Sequence, residues 1–409
     1  MKRILMIIVL LIAACLLAQE ETADQGSAQG TPPKEGIPAG KFLFSPSVEF
    51  IYDYRDNIFL TENNKEWDVI YTIRPKLMLE LPKEDSYFRL DWVPQYRWLE
   101  RYDYLTQRRT DFINAEASIK TSGGTEMHAT DAYTHNGTLE VSLVDPGHEL
   151  MIYNGDPFNM NQILFDLKHF FGEETGFGIN VNTSSVRFIR NFNSGSPLWY
   201  DYDNYAYGAS YERYMTPMLR LALGINYMDF RPYDTLKVRR FKGPNYYARV
   251  YGDFSPSVNA SIVVGWQDTS YEGSSHKYQS WNTDEEIIWN FPDNSNITLN
   301  INRDLHPSNY GEASSYTSTG AKLTYNLVPR EKFFGAAGGW FFKNEYRGLT
   351  RRDDDWTLFA NAGYHFGRLA SVRINFNHEE RQSTDHTASC TQGCSYTNNI
   401  VMINLLLGY

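Results

Sequence analysis

Asn399-Ile-Val-Met-Ile-Asn-Leu-Leu-Leu-Gly-Tyr409 places Val401, Ile403, Leu405, Leu407 and Tyr409 on every second position. Side chains of a strand point alternately to its two faces, so this spacing predicts a strand with one wholly apolar face. That face runs to the last, aromatic residue, with nothing after it to cover it. Such a strand is expected to look into an apolar surround, and the rest of the chain must then supply its neighbours.

Composition agrees. The chain has 409 residues, 15% of them aromatic, with Tyr 29 and Phe 24, yet its mean hydropathy is −0.48. Apolar residues spread over alternate positions give a wall greasy on one side and wet on the other, without a long apolar run. No internal segment approaches the roughly 18 consecutive apolar residues of a membrane helix.

One apolar run stands at the start. Lys2 and Arg3 precede Ile4 to Ala14, a charged lead and about 11 apolar residues, the pattern of a secretory signal. Residues 1–18 are therefore expected as a signal peptide cut after Ala18. The alternative is a lipoprotein cut before Cys15 at Ile12-Ala-Ala-Cys15, which a barrel does not need. Residues 19–40, rich in Glu, Gln, Gly, Ser, Thr and Pro, are expected as a disordered periplasmic linker, and residues 41–409 as the β domain.

The full chain carries a net charge of −11, and loss of Lys2 and Arg3 makes the exported chain more acidic still. This argues against a nucleic-acid partner. After ordinary signal removal only Cys390 and Cys394 remain, in the polar stretch Ser389-Cys-Thr-Gln-Gly-Cys-Ser395. In an oxidising compartment they are expected to form a disulfide. His386 alone does not complete a metal site beside them, and neither metal nor cofactor is expected.

From Lys41 onward the rhythm is strand, long polar loop, strand, short turn. Val48, Phe50, Tyr52 and Tyr54 give a first face. Val69, Tyr71, Ile73, Pro75, Leu77, Leu79 and Leu81 give a second, and Phe88, Leu90, Trp92, Pro94, Tyr96 and Trp98 a third. Pro75 and Pro94 each imply a bulge, because a closed sheet has no free edge for them. Continued to the end, the count is about 18 strands, with 16 as the alternative. Met127–Thr134 and Phe177–Phe188 are the least regular. The fold class is all-β: a transmembrane antiparallel up-and-down barrel, its last strand pairing back on Val48–Tyr54 and Asn404 pointing inward.

A barrel of this width leaves room for an aqueous channel, so function is sought on the inner face. Reading opposite the apolar faces gives Arg74, Lys76, Arg89, Asp91, Arg97, Arg249, Lys322 and Arg373 as lumen-lining candidates. Glu80, Lys120, Asn226, Asp253, Gln267, Asn300, Asn302 and Asn375 share that parity. Arg forks and amides suit an anionic or hydroxyl-rich solute; equally, such charges pair across a lumen and keep it hydrated. The loop His135–Asn159 holds enough apolar residues to pack across the barrel mouth or to extend the wall.

No catalytic constellation stands out. His128, His169, His365 and His378 read as ordinary strand residues, and Arg351-Arg-Asp-Asp-Asp355, which lacks calcium-loop spacing, reads as a solvated surface.

The closing strand resembles the last strand of bacterial outer-membrane barrels, where the terminal aromatic and the alternating residues before it are the signal for the barrel-assembly machinery. Tyr54-Arg-Asp-Asn-Ile-Phe-Leu60, followed by Asp68-Val-Ile-Tyr-Thr-Ile-Arg-Pro75 and Leu77-Met-Leu79, resembles the opening of the putative beta-barrel porin family of the second type. Leu90-Asp-Trp92, Tyr96-Arg-Trp98 and Arg109-Thr-Asp111 fit the same pattern, while Arg74 replaces the small residue expected before that proline. The resemblance is sharp over the first quarter of the barrel. It implies a Gram-negative outer-membrane channel set among lipid. Family members commonly accompany exopolysaccharide gene clusters, so polymer export, with polysaccharide and export proteins as partners, is the first expectation. A solute-diffusion porin is the second, and an outer-membrane enzyme or plugged structural barrel the third.

Overall fold

The computed structural model describes residues 36–82, 85–102, 109–137, 158–172, 174–188, 201–233, 240–272, 277–307, 315–327, 332–367, 369–384 and 395–408. The expected signal peptide, most of the linker, the Cys390–Cys394 pair and Tyr409 lie outside them. So does the middle of the His135–Asn159 loop, whose ends belong to strands.

The first half of the wall is β2 (Phe42–Arg55), β3 (Asp68–Pro82), β4 (Ser86–Leu99), β5 (Thr110–Lys120), β6 (Thr125–Gly137), β7 (Phe158–Phe171), β8 (Thr175–Phe188), β9 (Tyr202–Tyr214) and β10 (Leu219–Pro232). The second half is β11 (Phe241–Ser255), β12 (Val258–Tyr271), β13 (Lys277–Asn290), β14 (Asn296–Pro307), β15 (Ser315–Leu327), β16 (Phe333–Tyr346), β17 (Arg352–His365), β18 (Ala370–Ser383) and β19 (Tyr396–Gly408). Each pairs antiparallel with its sequence neighbours, and β19 closes on β2, making a barrel of 18 strands. The two irregular stretches of the sequence are full strands, β6 and β8.

Closure joins the predicted strands: Val401 lies opposite Tyr54, Ile403 opposite Tyr52, Leu405 opposite Phe50 and Leu407 opposite Val48. One short strand, β1 (Ile37–Ala39), is extra and falls in the stretch expected as linker. It folds back so that Ala39 pairs with Phe42 and Ile37 with Phe44. Because β19 ends at Gly408 opposite Ser47, β1 takes up the edge of β2 that the closing strand leaves unpaired.

The expected bulges at Pro75 and Pro94 are absent. Ile73 pairs with Tyr96 and Leu77 with Trp92 in unbroken register, which sets the two prolines opposite each other. Neither can donate to the ladder, so sharing one gap makes a single interruption of two. Register shifts occur instead at Asp253/Ser255 and Thr134/Gly137.

The outer face is an apolar band. Leu223, Val264, Leu323, Leu358 and Ile374 are exposed on it, and aromatic rings meet along its lower rim, as Phe171–Phe177 at 6.0 Å, Phe177–Tyr211 at 5.4 Å and Phe333–Tyr364 at 4.8 Å. Tyr52 and Tyr71 meet higher up at 5.8 Å. Above the band the same parity turns ionic: Arg187–Asp203 and Arg352–Asp354 are each 2.7 Å apart, and Arg231 and Arg240 both hold Asp229. An apolar belt with aromatic girdles, ending abruptly in charge, is the outer surface of a membrane barrel.

Candidate functional site

Side chains from alternate strands can meet only on the concave side of a closed wall. Lys168 in β7 lies 2.9 Å from Glu212 in β9, Asn180 in β8 donates to Asn226 in β10 at 3.4 Å, and Tyr251 in β11 donates to Glu212 at 2.6 Å. These contacts fix the inner face, and register carries the assignment around the barrel. The eight lumen candidates all fall on its parity, but they divide between two regions.

Five stand near the seam. Arg74 donates to Gln95 at 2.6 Å and lies 3.5 Å from Glu49. Lys76 and Arg89 both reach Asp91, at 3.3 and 2.7 Å, and Arg97 sits opposite Thr72. A chain of contacts crosses the closure: Asn375 donates to Asn404 at 3.0 Å, Asn404 to Glu49 at 2.7 Å, and Glu49 faces Arg74. Arg373 covers the ring of Phe334 at 5.0 Å, and Lys322 lies 5.6 Å from the ring of Trp340.

Toward the long-loop end this wall is ionic and buried. Arg381 grips Asp355 through Nε and through its second nitrogen at 2.7 Å. Arg351 grips Asp353 at 2.9 and 2.6 Å, and Asp353 also accepts from Tyr346 at 3.1 Å and Ser383 at 2.5 Å. Asp353 is 0% exposed and Arg381 3%, so Arg351, Asp353 and Asp355 are no solvated surface but part of an internal ion-pair network, while Arg352 and Asp354 stay on the outer surface. Alternation explains the error: Arg352 and Asp354 face outward, whereas Asp353 and Asp355 face in.

The eighth candidate, Arg249, stands on the other wall, where charge gives way to amides. Asn180 lies opposite Gly208, Gly208 opposite Asn226, and Asn226 opposite Asn245. Two residues along the next strand, Gly265 lies opposite Asn282, and Asp284 opposite Asn302. These five asparagines, with Tyr247, Arg249, Asp284, Asp304 and His306, line a recess of about 460 Å³. Arg249 donates to Ser261 at 3.0 Å beneath it. A second, smaller recess continues toward Lys168 and Glu212 and shares Asn180, Tyr247 and Arg249.

The glycines explain how the amides lie. A Cβ on Gly208 would stand 2.0 Å from Asn226 Oδ1 and 2.4 Å from Asn180 Oδ1; on Gly265, 2.2 Å from Asn282 Oδ1 and 2.8 Å from Asn245 Oδ1. A glycine inside a strand here admits the close approach of a side chain from the next strand. The Oδ1 atoms of Asn245, Asn282 and Asn302 are buried without a hydrogen-bond partner among the described residues.

Asn226 and Asn302 carry the parity signal in the sequence, but Asn180, Asn245, Asn282, Asp284 and Asp304 are easily missed. The usable signal was an inward-parity asparagine beside an inward-parity glycine on the adjacent strand, which needs the pairing register. The histidines have ordinary partners: His128 with Glu116 at 3.3 Å, His169 with Thr125 at 2.9 Å and His378 with Asn399 at 2.7 Å, while His365 packs on the ring of Phe334 at 4.6 Å.

Among solved structures, the chain is similar to OccK2 (OpdF) of Pseudomonas aeruginosa in complex with glucuronate, with 12% identity and a TM-score of 0.49 over 90% of this chain and 98% of that one. It is also similar to OpdO of Pseudomonas aeruginosa, with 13% identity and a TM-score of 0.48 over 90% and 96%. The FrpB iron transporter of Neisseria meningitidis aligns at 9% identity and a TM-score of 0.46 over 85% and 64%. No curated protein matches the chain. The family model described as "Putative beta-barrel porin 2" matches residues 201–408, the half of the barrel beyond the opening motifs that carried the resemblance. With half of the wall matched and the closed 18-stranded barrel around it, the chain belongs to the putative beta-barrel porin 2 family and is a barrel of the bacterial outer membrane.

Proposed function

We propose that this porin is a passive solute-diffusion channel and not an enzyme. The observation that carries the reading is the inner wall from β8 to β14, where half-buried amides and a few mixed charges line an open recess of about 460 Å³. Barrels of 16 to 18 strands leave an aqueous interior, and conduction needs groups that bind well enough to admit a solute but weakly enough to release it. Uncharged carboxamides meet that requirement.

Exopolysaccharide export rested on the family resemblance alone, and nothing in the wall chemistry supports a polymer over small solutes, so the solute-diffusion reading takes its place. Recognition of β19 by the barrel-assembly machinery belongs to the same proposal.

The test is swelling of liposomes holding the purified barrel. Small polyols should enter at rates that fall with size, and a long soluble polysaccharide should stay out. Equal exclusion of all solutes would defeat the reading.

A further inference from the structure

The asparagines of β8 to β14 form one feature, not scattered polar residues. Following the strand tilt, they run Asn180, Asn226, Asn245, Asn282, Asn302. Glycines stand beneath the side chains at Gly208 and Gly265. A third glycine, Gly224, lies under Tyr247, whose ring would be 2.4 Å from a Cβ there, so the phenol also lies along the wall.

The oxygens of Asn245 and Asn282 are tucked over Gly265, which leaves their amide nitrogens for the lumen, while Asn180 donates along the wall to Asn226 at 3.4 Å. All five asparagines are half-buried, so part of each side chain faces the recess. The row therefore offers repeated neutral hydrogen-bonding groups beside an aromatic plate. Its charges are of both signs, Asp284 and Asp304 against Arg249.

We propose that this row is a binding site for neutral, hydroxyl-rich solutes, sugars and polyols, which the channel admits in preference to other neutral molecules of the same size. The proposal rests on the solute-diffusion reading and names its substrate class. A hydroxyl both donates and accepts, so a polyol can donate to Asp284 and the Tyr247 oxygen while accepting from the amide nitrogens, exchanging its water for wall contacts along the row. An ether chain of equal size can only accept. The recess, at about 460 Å³, falls within the range of small-molecule sites. Because each hydroxyl gives up a bond to water for one to the wall, the net gain per contact is small and affinity stays near the millimolar range, about what a channel needs for release.

The experiment is single-channel current in a planar bilayer, titrated with sorbitol and, separately, with triethylene glycol dimethyl ether. With the wild-type barrel, sorbitol lowers the current saturably beyond its effect on bulk conductivity, and the ether does not. The variant Asn245→Ala/Asn282→Ala/Asn302→Ala, read from channels that still conduct, loses roughly fivefold or more of its apparent sorbitol affinity. Gly265→Ala does the same with every amide still present, since its methyl displaces Asn245 and Asn282. Equal responses to the two solutes, or a triple variant that binds sorbitol like wild type, would overturn the proposal. Failure of the wild-type barrel to conduct at all would overturn the channel reading as well, so the two failures are separate.

Discussion

The wall around the seam and the wall from β8 to β14 are built from similar polar residues and use them in opposite ways. At the seam, carboxylates, guanidinium groups and amides pair with one another across β17, β18, β19, β2, β3 and β4: Arg381 with Asp355, Asn398 with Glu379 at 3.2 Å, Asn404 with Glu49. From β8 to β14, the oxygens of Asn245, Asn282 and Asn302 lack partners among the described residues, and the side chains border open volume. The same parity rule puts both sets inside. What separates them is whether the neighbouring strand offers a complementary group or a glycine. One wall holds the cylinder shut; the other borders open volume.

If that division is right, substitutions on the seam wall should cost stability and those on the amide wall should not. The largest effect is expected for Arg381→Ala, which leaves Asp355 buried without its guanidinium, beside Asp353. The loss should be about 3–5 kcal/mol, read as a lower urea midpoint for the heat-shifted form in lipid vesicles. Next comes a test of which face is which. Leu323→Arg, on the exposed apolar band, should cost about 2–4 kcal/mol, whereas Lys322→Leu, one residue away and inward, should leave the midpoint little changed.

Asn404→Leu removes the donor that joins β19 to Glu49 on β2 and should cost about 1–2 kcal/mol. Smallest of all, Asn245→Ala should shift the midpoint by less than about 1 kcal/mol, because its oxygen has no protein partner to lose. A seam-sized loss at Asn245 would erase the distinction between the walls. A charge reversal sharpens it from the functional side: Arg249→Glu, at the recess beside Asp284, should move the reversal potential in a salt gradient toward cation selectivity without lowering the urea midpoint.

Much of this was legible in the chain because a strand reports its two faces by parity alone. Val401 to Leu407 announced a lipid-facing strand, its pairing with Val48–Tyr54 followed from closure, and Asn404 was placed inward by the same alternation. Where an expectation failed, the missing information was pairing. Pro75 and Pro94 looked like two separate defects until register set them opposite each other. Arg351–Asp355 looked like a solvated cluster because its composition hides that alternate members face opposite sides.

The motif from Tyr54 to Leu60 is a further case. It is structural: Asn57 is fully buried, accepts from the Thr61 amide at 3.0 Å and donates to the Thr397 carbonyl at 2.9 Å, while Asn399 donates to Asp56 at 2.6 Å. The turn after β2 is thereby tied across the seam to β19. Asp68, at the start of β3, accepts from the amides of Val69, Glu100, Arg101 and Tyr102. The residues that made the family resemblance visible thus belong to the wall that closes the barrel. The amide row lay hidden because its members are spread over five strands, and no single stretch of sequence displays the row.

The most direct measurement is the current through the purified, heat-shifted barrel reconstituted in a planar bilayer. The solute-diffusion account predicts discrete steps whose conductance rises in proportion to salt concentration, as expected for a water-filled path. A correctly folded barrel that inserts and yet passes no current would contradict it.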